Sequence, residues 1–183
     1  MKRSFHPDRL ATQAPSSPSR RRTKKQTSTR NPTPGPSQMK PIGSRAMPSS
    51  VKKLYEVALE YRSRSYSPYS QCKVGSALKT HRGKIYGGCN VENASFGATI
   101  CAERSAVLKA VGNEGAIQIR EILVVTDASP PWSPCGLCRQ VLSEFSHDLV
   151  VHLTNTKGHF ESVAFSDLFP RSFNHQQIKK PTS

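Results

Sequence analysis

Two short stretches of this chain could do chemistry together: Cys101-Ala102-Glu103 and Pro134-Cys135-Gly136-Leu137-Cys138. Three cysteines in this pattern suit a Zn²⁺ centre. Thiolates hold zinc tightly, and a catalytic site uses three protein ligands with a water in the fourth position. Coordination lowers the pKa of that water towards neutrality. An activated water still needs a carrier to move protons between itself and a leaving group. Glu103, two residues beyond Cys101, is a carboxylate in the right place for that work. A purely structural zinc knuckle would want a fourth Cys or His; Cys89 is available but lies outside both stretches.

The elements around these stretches follow from periodicity. Either Ser49 or Ser50 is suited to cap a helix in which Val51, Leu54, Tyr55 and Ala58 recur at helical spacing as far as about Arg64. Residues 73–79 and 85–89 read as strands joined by a hairpin turn over 81–84. A second helix is expected from residues 99–101 to about Val111, stopped by Gly112, with Ala102, Ala106 and Ala110 as a narrow stripe that can lie close to a sheet. Residues 119–126 are apolar and β-branched, as expected for a buried strand. Ser133 and Pro134 suit the N-cap and first position of a helix over 135–145. A strand over 149–154, an edge strand over 160–165 and a closing turn over 167–170 complete the pattern. Both cysteine groups therefore fall at helix N-termini, where the dipole favours thiolate over thiol, and Cys135 and Cys138 share one helical face.

The 183 residues carry a formal charge of +15, unevenly distributed. Residues 1–50 hold 11 Lys/Arg and one acid, Asp8, a net of +10; the remainder holds 16 Lys/Arg and 11 acids, a net of +5. Eight of the 14 prolines lie in residues 1–48, with many Ser and Thr and almost no bulky apolar residues. Such a segment buries too little surface to offset its ordering entropy, so a disordered basic tail is expected over 1–48, a catalytic domain over 49–174 and a flexible C-terminus over 175–183. The cluster Arg20-Arg21-Arg22-Thr23-Lys24-Lys25 could attract nucleic acid, anionic lipid or an import receptor, and an Arg-rich start is also a feature of organellar transit peptides. A solvated arm without a fixed partner, or translation from Met47, are the plainer readings. No run approaches the roughly 18–20 apolar residues of a membrane span. Five cysteines, an odd number, and the absence of a secretory signal favour a reducing, cytoplasmic setting over a disulfide framework.

From about Tyr61 to Phe173 the chain resembles the small zinc-dependent cytidine deaminases. The resemblance rests on Ser67-Pro68-Tyr69-Ser70, Val74-Gly75-Ser76-Ala77-Leu78, Gly88-Cys89-Asn90-Val91-Glu92-Asn93-Ala94, Cys101-Ala102-Glu103-Arg104 and the run from Ser133 to Gln140. The cysteine and glutamate spacing is the three-cysteine form of the zinc deaminase signature. This resemblance implies an α/β fold, a three-layer αβα sandwich with a five-stranded mixed sheet. It implies Zn²⁺ on Cys101, Cys135 and Cys138, and hydrolytic deamination of cytidine and 2′-deoxycytidine in pyrimidine salvage. Glu103 would protonate N3 of the pyrimidine and carry a proton to the departing amine. Arg104 would bond the ligand thiolates and offset their charge. The Ala102 amide and Ser133 carbonyl would read the base edge, and Asn90 and Glu92 would bind the ribose. Phe173 would complete a neighbouring subunit's pocket in a homotetramer, or else anchor the chain end in the core.

The chain departs from the family at Cys72, where many members carry a phenylalanine that stacks on the pyrimidine. Losing that ring removes stacking of about 1 kcal/mol. The base is then held mainly by hydrogen bonds, or another aromatic such as Phe96 compensates, or the substrate has changed. Two other functions compete with cytidine deamination. Deamination of a modified cytosine nucleoside such as blasticidin S is weakened by the retained Asn90 and Glu92. RNA binding or editing through the basic tail is weakened because polynucleotide editors mostly use His where Cys101 stands. A free nucleoside is the expected substrate, and neither nucleic acid nor membrane is an expected partner.

Overall fold

The structure is a computed structural model that describes residues 46–146 and 148–174. Most of the expected basic tail, residues 1–45, and the expected flexible end, residues 175–183, lie outside the described residues. Among the described residues, no helix is long and apolar enough to cross a membrane.

The first helix, α1 (Ser49–Ser63), buries Val51, Leu54 and Ala58 along one stripe. Neither serine caps it. Pro48 occupies the cap position and its carbonyl accepts the Val51 amide at 3.0 Å, so the helix starts on Ser49 itself. Proline's fixed φ, here −61°, suits that entry. Strand β1 (Gly75–Thr80) begins two residues later than expected, because the Val74 amide donates to the Asn90 side chain at 2.9 Å. Strand β2 (Ile85–Cys89) pairs antiparallel with β1 through the expected hairpin, and Gly83 takes φ +81° in the turn.

Helix α2 (Ala102–Glu114) runs through Gly112, the expected stop, and ends at Gly115. Gly115 has φ +73°, a left-handed conformation that glycine adopts without steric cost. Strand β3 (Ile119–Thr126) falls where its apolar run predicts. Helix α3 (Gly136–Ser143) starts later than expected, with Cys135 and not Ser133 at its cap, since the Ser133 hydroxyl instead accepts a hydrogen bond from Arg139 Nη2 at 2.9 Å. Strands β4 (Val150–Asn155) and β5 (Phe160–Ala164) follow. One helical turn, α4 (Phe165–Leu168), takes Phe165 from the expected edge strand and overlaps the first half of the expected closing turn.

The five strands form one mixed sheet in the order β2-β1-β3-β4-β5. Strand β1 is antiparallel to both β2 and β3, β3 is parallel to β4, and β4 is antiparallel to the edge strand β5. Helix α1 covers one face, where Val51, Leu54 and Ala58 meet Ala77, Leu123 and Val125. On the other face Ala106, Val107 and Ala110 of α2 and Leu142 of α3 meet Leu78, Ile122 and Val124. The expected three layers are therefore present. Successive residues of β3 enter opposite cores, which is why that strand shows no polar alternation.

Two consecutive glycines on β2 let the helices close on both faces. A Cβ on Gly87 would sit 2.3 Å from Tyr61 Cδ2, and one on Gly88 would sit 2.3 Å from the Ala106 backbone nitrogen. The Gly88 contact sets how low α2 lies on the sheet, and with it where Cys101 and Glu103 stand. Backbone cannot yield as a flexible side chain can. Gly88→Ala is expected to destabilise the protein by about 2 kcal/mol through overpacking, read from urea unfolding. A loss below about 0.5 kcal/mol would mean that α2 can lift away freely.

Candidate functional site

Helices α2 and α3 bring their N-termini to one point. Cys101 (φ −71°, ψ 157°) and Cys135 (φ −66°, ψ 167°) are both N-cap residues in extended conformation, so their thiols occupy the place a capping hydroxyl usually takes. Cys138 lies inside the first turn of α3 and is fully buried. The Sγ atoms of Cys101 and Cys135 are 3.8 Å apart, those of Cys135 and Cys138 are 3.6 Å apart, and all three lie within 4.8 Å of one another. Tetrahedral zinc with Zn–S bonds of about 2.3 Å puts its sulfurs about 3.8 Å apart, so the trio fits this ion. Among the described residues it is the one cluster of metal-ligating side chains of this kind. Cys89, the possible fourth ligand, instead points its thiol at the Arg64 carbonyl, 3.7 Å away. The donor set is three sulfurs, which leaves one tetrahedral position for a small molecule.

The electrostatics of the trio also favour a cation. Cys101 is pulled down to about 5, first by the hydrogen bond from Cys138 and, against the opposing effect of burial, by Arg104 and Cys135. Cys138 is pushed up by that same bond, by burial and by the charge of Glu103. A divalent ion removes this conflict, because it allows all three sulfurs to ionise together. Arg104 donates from Nη2 to the Thr99 carbonyl at 2.6 Å and stands 4.0 Å from Cys101 Sγ, in keeping with a charge-offsetting position.

Glu103 is 4 % exposed, and burial followed by the negative charge of Cys101 pushes its carboxyl up to about 7. Both it and Ala102 line a cleft of about 360 Å³ that opens from Cys101 and Cys135. Its lining includes the apolar Val74 and Val124 together with Cys72, Ser70 and Asn90. Trp132 and Ser133, from the segment before α3, line it as well. The structure thus brings together Glu103, Ala102, Ser133, Asn90 and two of the three metal-site cysteines around one cavity, and it places Cys72 there too.

Asn90 and Glu92 differ from a solvated turn. Asn90 is buried, its Oδ1 accepts from the Val74 amide at 2.9 Å and the Ser65 hydroxyl at 2.5 Å, and its Nδ2 donates to the Cys72 carbonyl at 2.8 Å. Glu92 accepts from the amides of Tyr69 and Ser70 at 2.8 and 3.1 Å and from the Ser70 hydroxyl, and that last bond leads the effects that lower its pKa. Both side chains therefore pin the loop 65–74. Glu92 lines an adjoining cleft that shares Ser70 and Thr99 with the first. Phe96 lies in that second cleft, 75 % exposed, with its ring edge-to-face on Tyr69. It does not line the first cleft, so it is not the ring that stands in for the missing phenylalanine beside the metal site. Phe173 is 55 % exposed and therefore does not anchor the core; its carbonyl accepts from Gln140 Nε2 at 2.8 Å.

Two residues escaped the sequence reading. Arg139 binds the Pro134 carbonyl, the Ser133 hydroxyl and the Leu168 carbonyl at 2.7, 2.9 and 2.9 Å, tying the metal-site loop to α4. Its position four residues after Cys135 was the available signal, since an i+4 side chain can reach back over the helix start. Trp132 was signalled only by its place directly before the Ser133-Pro134-Cys135 run.

Comparison with known proteins agrees with this geometry. Residues 48–154 match the family model described as the cytidine and deoxycytidylate deaminase zinc-binding region. The chain is 42 % identical over 129 residues to a cytidine deaminase of Sporosarcina psychrophila, covering 70 % of this chain and 94 % of that one. It is 38 % identical over 129 residues to a probable cytidine deaminase of Dictyostelium discoideum, covering 70 % and 86 %. The crystal structure of cytidine deaminase from Burkholderia pseudomallei superposes with a TM-score of 0.64 at 42 % identity, over 67 % of this chain and 98 % of that one.

Purified protein is expected to contain close to one zinc per chain by elemental analysis. Cys138→Ala should reduce this to a small fraction, while Cys89→Ala should leave it unchanged. Full zinc retention in Cys138→Ala would remove that sulfur from the ligand set.

Proposed function

The chain belongs to the cytidine and deoxycytidylate deaminase family, and from that premise we propose that it hydrolyses cytidine and 2′-deoxycytidine to uridine and 2′-deoxyuridine, releasing ammonia. The observation that carries this reading is the buried carboxylate of Glu103 beside a three-sulfur cluster, both opening on a cleft large enough for a pyrimidine. Neither a modified nucleoside such as blasticidin S nor a polynucleotide is favoured.

Cys101, Cys135 and Cys138 would hold the zinc, which would supply the Lewis acidity that makes a water nucleophilic at neutral pH. Glu103 handles the protons. Buried and with a pKa raised to about 7, its carboxyl can take one proton from the attacking water and give it to N3 of the ring as C4 gains oxygen, then take the second proton from that oxygen and deliver it to the leaving amine, ending in the state in which it began. The atoms balance: one water enters and one ammonia departs. The Ala102 amide and Ser133 carbonyl flank the metal site and would orient the base edge. The sugar would extend towards the second cleft, where Asn90 and Glu92 hold the 65–74 loop and present remaining polar capacity. Arg104 would temper the charge of the thiolates.

A place in pyrimidine salvage, a cytoplasmic location and a homotetrameric assembly complete the reading. Phe173, whose carbonyl accepts from Gln140 of α3, is supported as a group for a neighbouring subunit because its side chain is exposed among the described residues.

The test is to assay the zinc-loaded chain on cytidine, 2′-deoxycytidine, cytosine and blasticidin S. Turnover of the two nucleosides is expected, with little or none of the free base or the antibiotic. Glu103→Gln should keep zinc and fold but lose at least about 10²-fold in kcat, the lower range for a lost proton carrier. Activity within tenfold of the parent would sink the assignment of Glu103.

A further inference from the structure

Strands β1 and β3 run antiparallel with Gly75 opposite Val125, so the loop entering β1 and the loop leaving β3 emerge side by side at one end of these strands. Cys72 stands on the first loop and Trp132 on the second, and both line the cleft beside the metal site. A ring missing from one loop can therefore be supplied by the other. Among the residues that line this cleft, Trp132 is the only aromatic one.

The ring is held from its backbone. Pro130 and Pro131 precede Trp132 and Pro134 follows two residues later, which restricts φ at three of five consecutive positions. Arg139 fastens the next two residues through the Ser133 hydroxyl and the Pro134 carbonyl. Trp132 nonetheless remains 50 % exposed, so half of the largest aromatic surface available to a side chain stays open for contact. A half-open indole on a restrained backbone, against a largely apolar cleft, suits a planar heterocycle.

We propose that Trp132 forms the aromatic wall for the pyrimidine in this chain, in place of the phenylalanine that Cys72 replaces, and so sets its affinity for the base. The proposal rests on the nucleoside-deaminase reading above. Trp132 takes no part in proton transfer; it binds the ring, and its contribution appears mainly in KM.

Trp132 is the only tryptophan in the 183 residues, so the protein's indole emission reports on this position alone. Zinc-loaded full-length protein is titrated with uridine, the unreactive product, while emission is recorded, and uridine inhibition of cytidine turnover is measured in parallel. A saturable change in emission with a midpoint equal to the inhibition constant is expected. Trp132→Ala should raise KM for cytidine roughly tenfold, within the range of base–aromatic stacking, with a much smaller change in kcat. Trp132→Phe should recover most of that loss. Uridine that inhibits turnover yet leaves the emission unchanged would overturn the proposal, as would a Trp132→Ala variant that loses kcat with KM unaltered. If Trp132→Ala fails to fold or to hold zinc, the titration of the unsubstituted chain decides alone. A chain that neither deaminates cytidine nor binds uridine would bring down the nucleoside reading, and this inference with it, whereas inhibition without an optical response strikes the Trp132 assignment only.

Discussion

Three sulfurs held less than 5 Å apart are the constraint on which the rest of the site depends. Were all three ionised, each neighbouring pair at about 3.8 Å would repel by on the order of 4 kcal/mol at an effective dielectric of 20. Burial of Cys138 sharpens the conflict, which shows in the opposed shifts of Cys101 and Cys138. Two helix N-termini and the Arg104 guanidinium reduce the repulsion but do not abolish it, since a helix end carries only about half a charge. A dication does, and it completes the electrostatics that the polypeptide leaves unbalanced.

The fold keeps these sulfurs together through contacts far less specific than the site itself. Gly88 lets α2 press onto β2, Ala106 and Ala110 keep that helix thin, and the parallel pairing of β3 and β4 leaves α3 on the same face of the sheet as α2. Arg139 then links the start of α3 to α4. The carboxylate needs no separate scaffold. Two residues after Cys101 on the same helix, Glu103 is carried into the wall by the turn that presents the thiol, and the packing that excludes water from Ala102 and Ala106 also raises its pKa. Metal site and proton carrier are thus positioned by one element.

How much of this was legible from residues alone follows from the range of the forces involved. Strand β3 was readable because burial leaves an apolar run from Ile122 to Val125, and the thiol-carboxylate spacing was readable because it is local to two helix starts. The helix boundaries were less so. Ser49, Gly112 and Ser133 each carry a reasonable local signal, and each loses to a neighbour: the Pro48 carbonyl, the left-handed Gly115, and the Arg139 side chain that engages the Ser133 hydroxyl. Asn90 was recognisable as part of a motif, but its three bonds to the 65–74 loop depend on tertiary packing that no spacing rule expresses. Trp132 was hidden for the same reason, since only the pairing of β1 with β3 brings its loop beside that of Cys72.

The central claim is a zinc ion held by three thiolates with one position left for water. X-ray absorption at the zinc K edge on the purified full-length chain tests it directly. The predicted first shell contains three sulfurs at about 2.3 Å and one oxygen or nitrogen at about 2.0 Å. A shell of four sulfurs would mark the centre as a closed structural site, and a shell dominated by oxygen and nitrogen would mean that Cys101, Cys135 and Cys138 do not hold the metal; either result would contradict it.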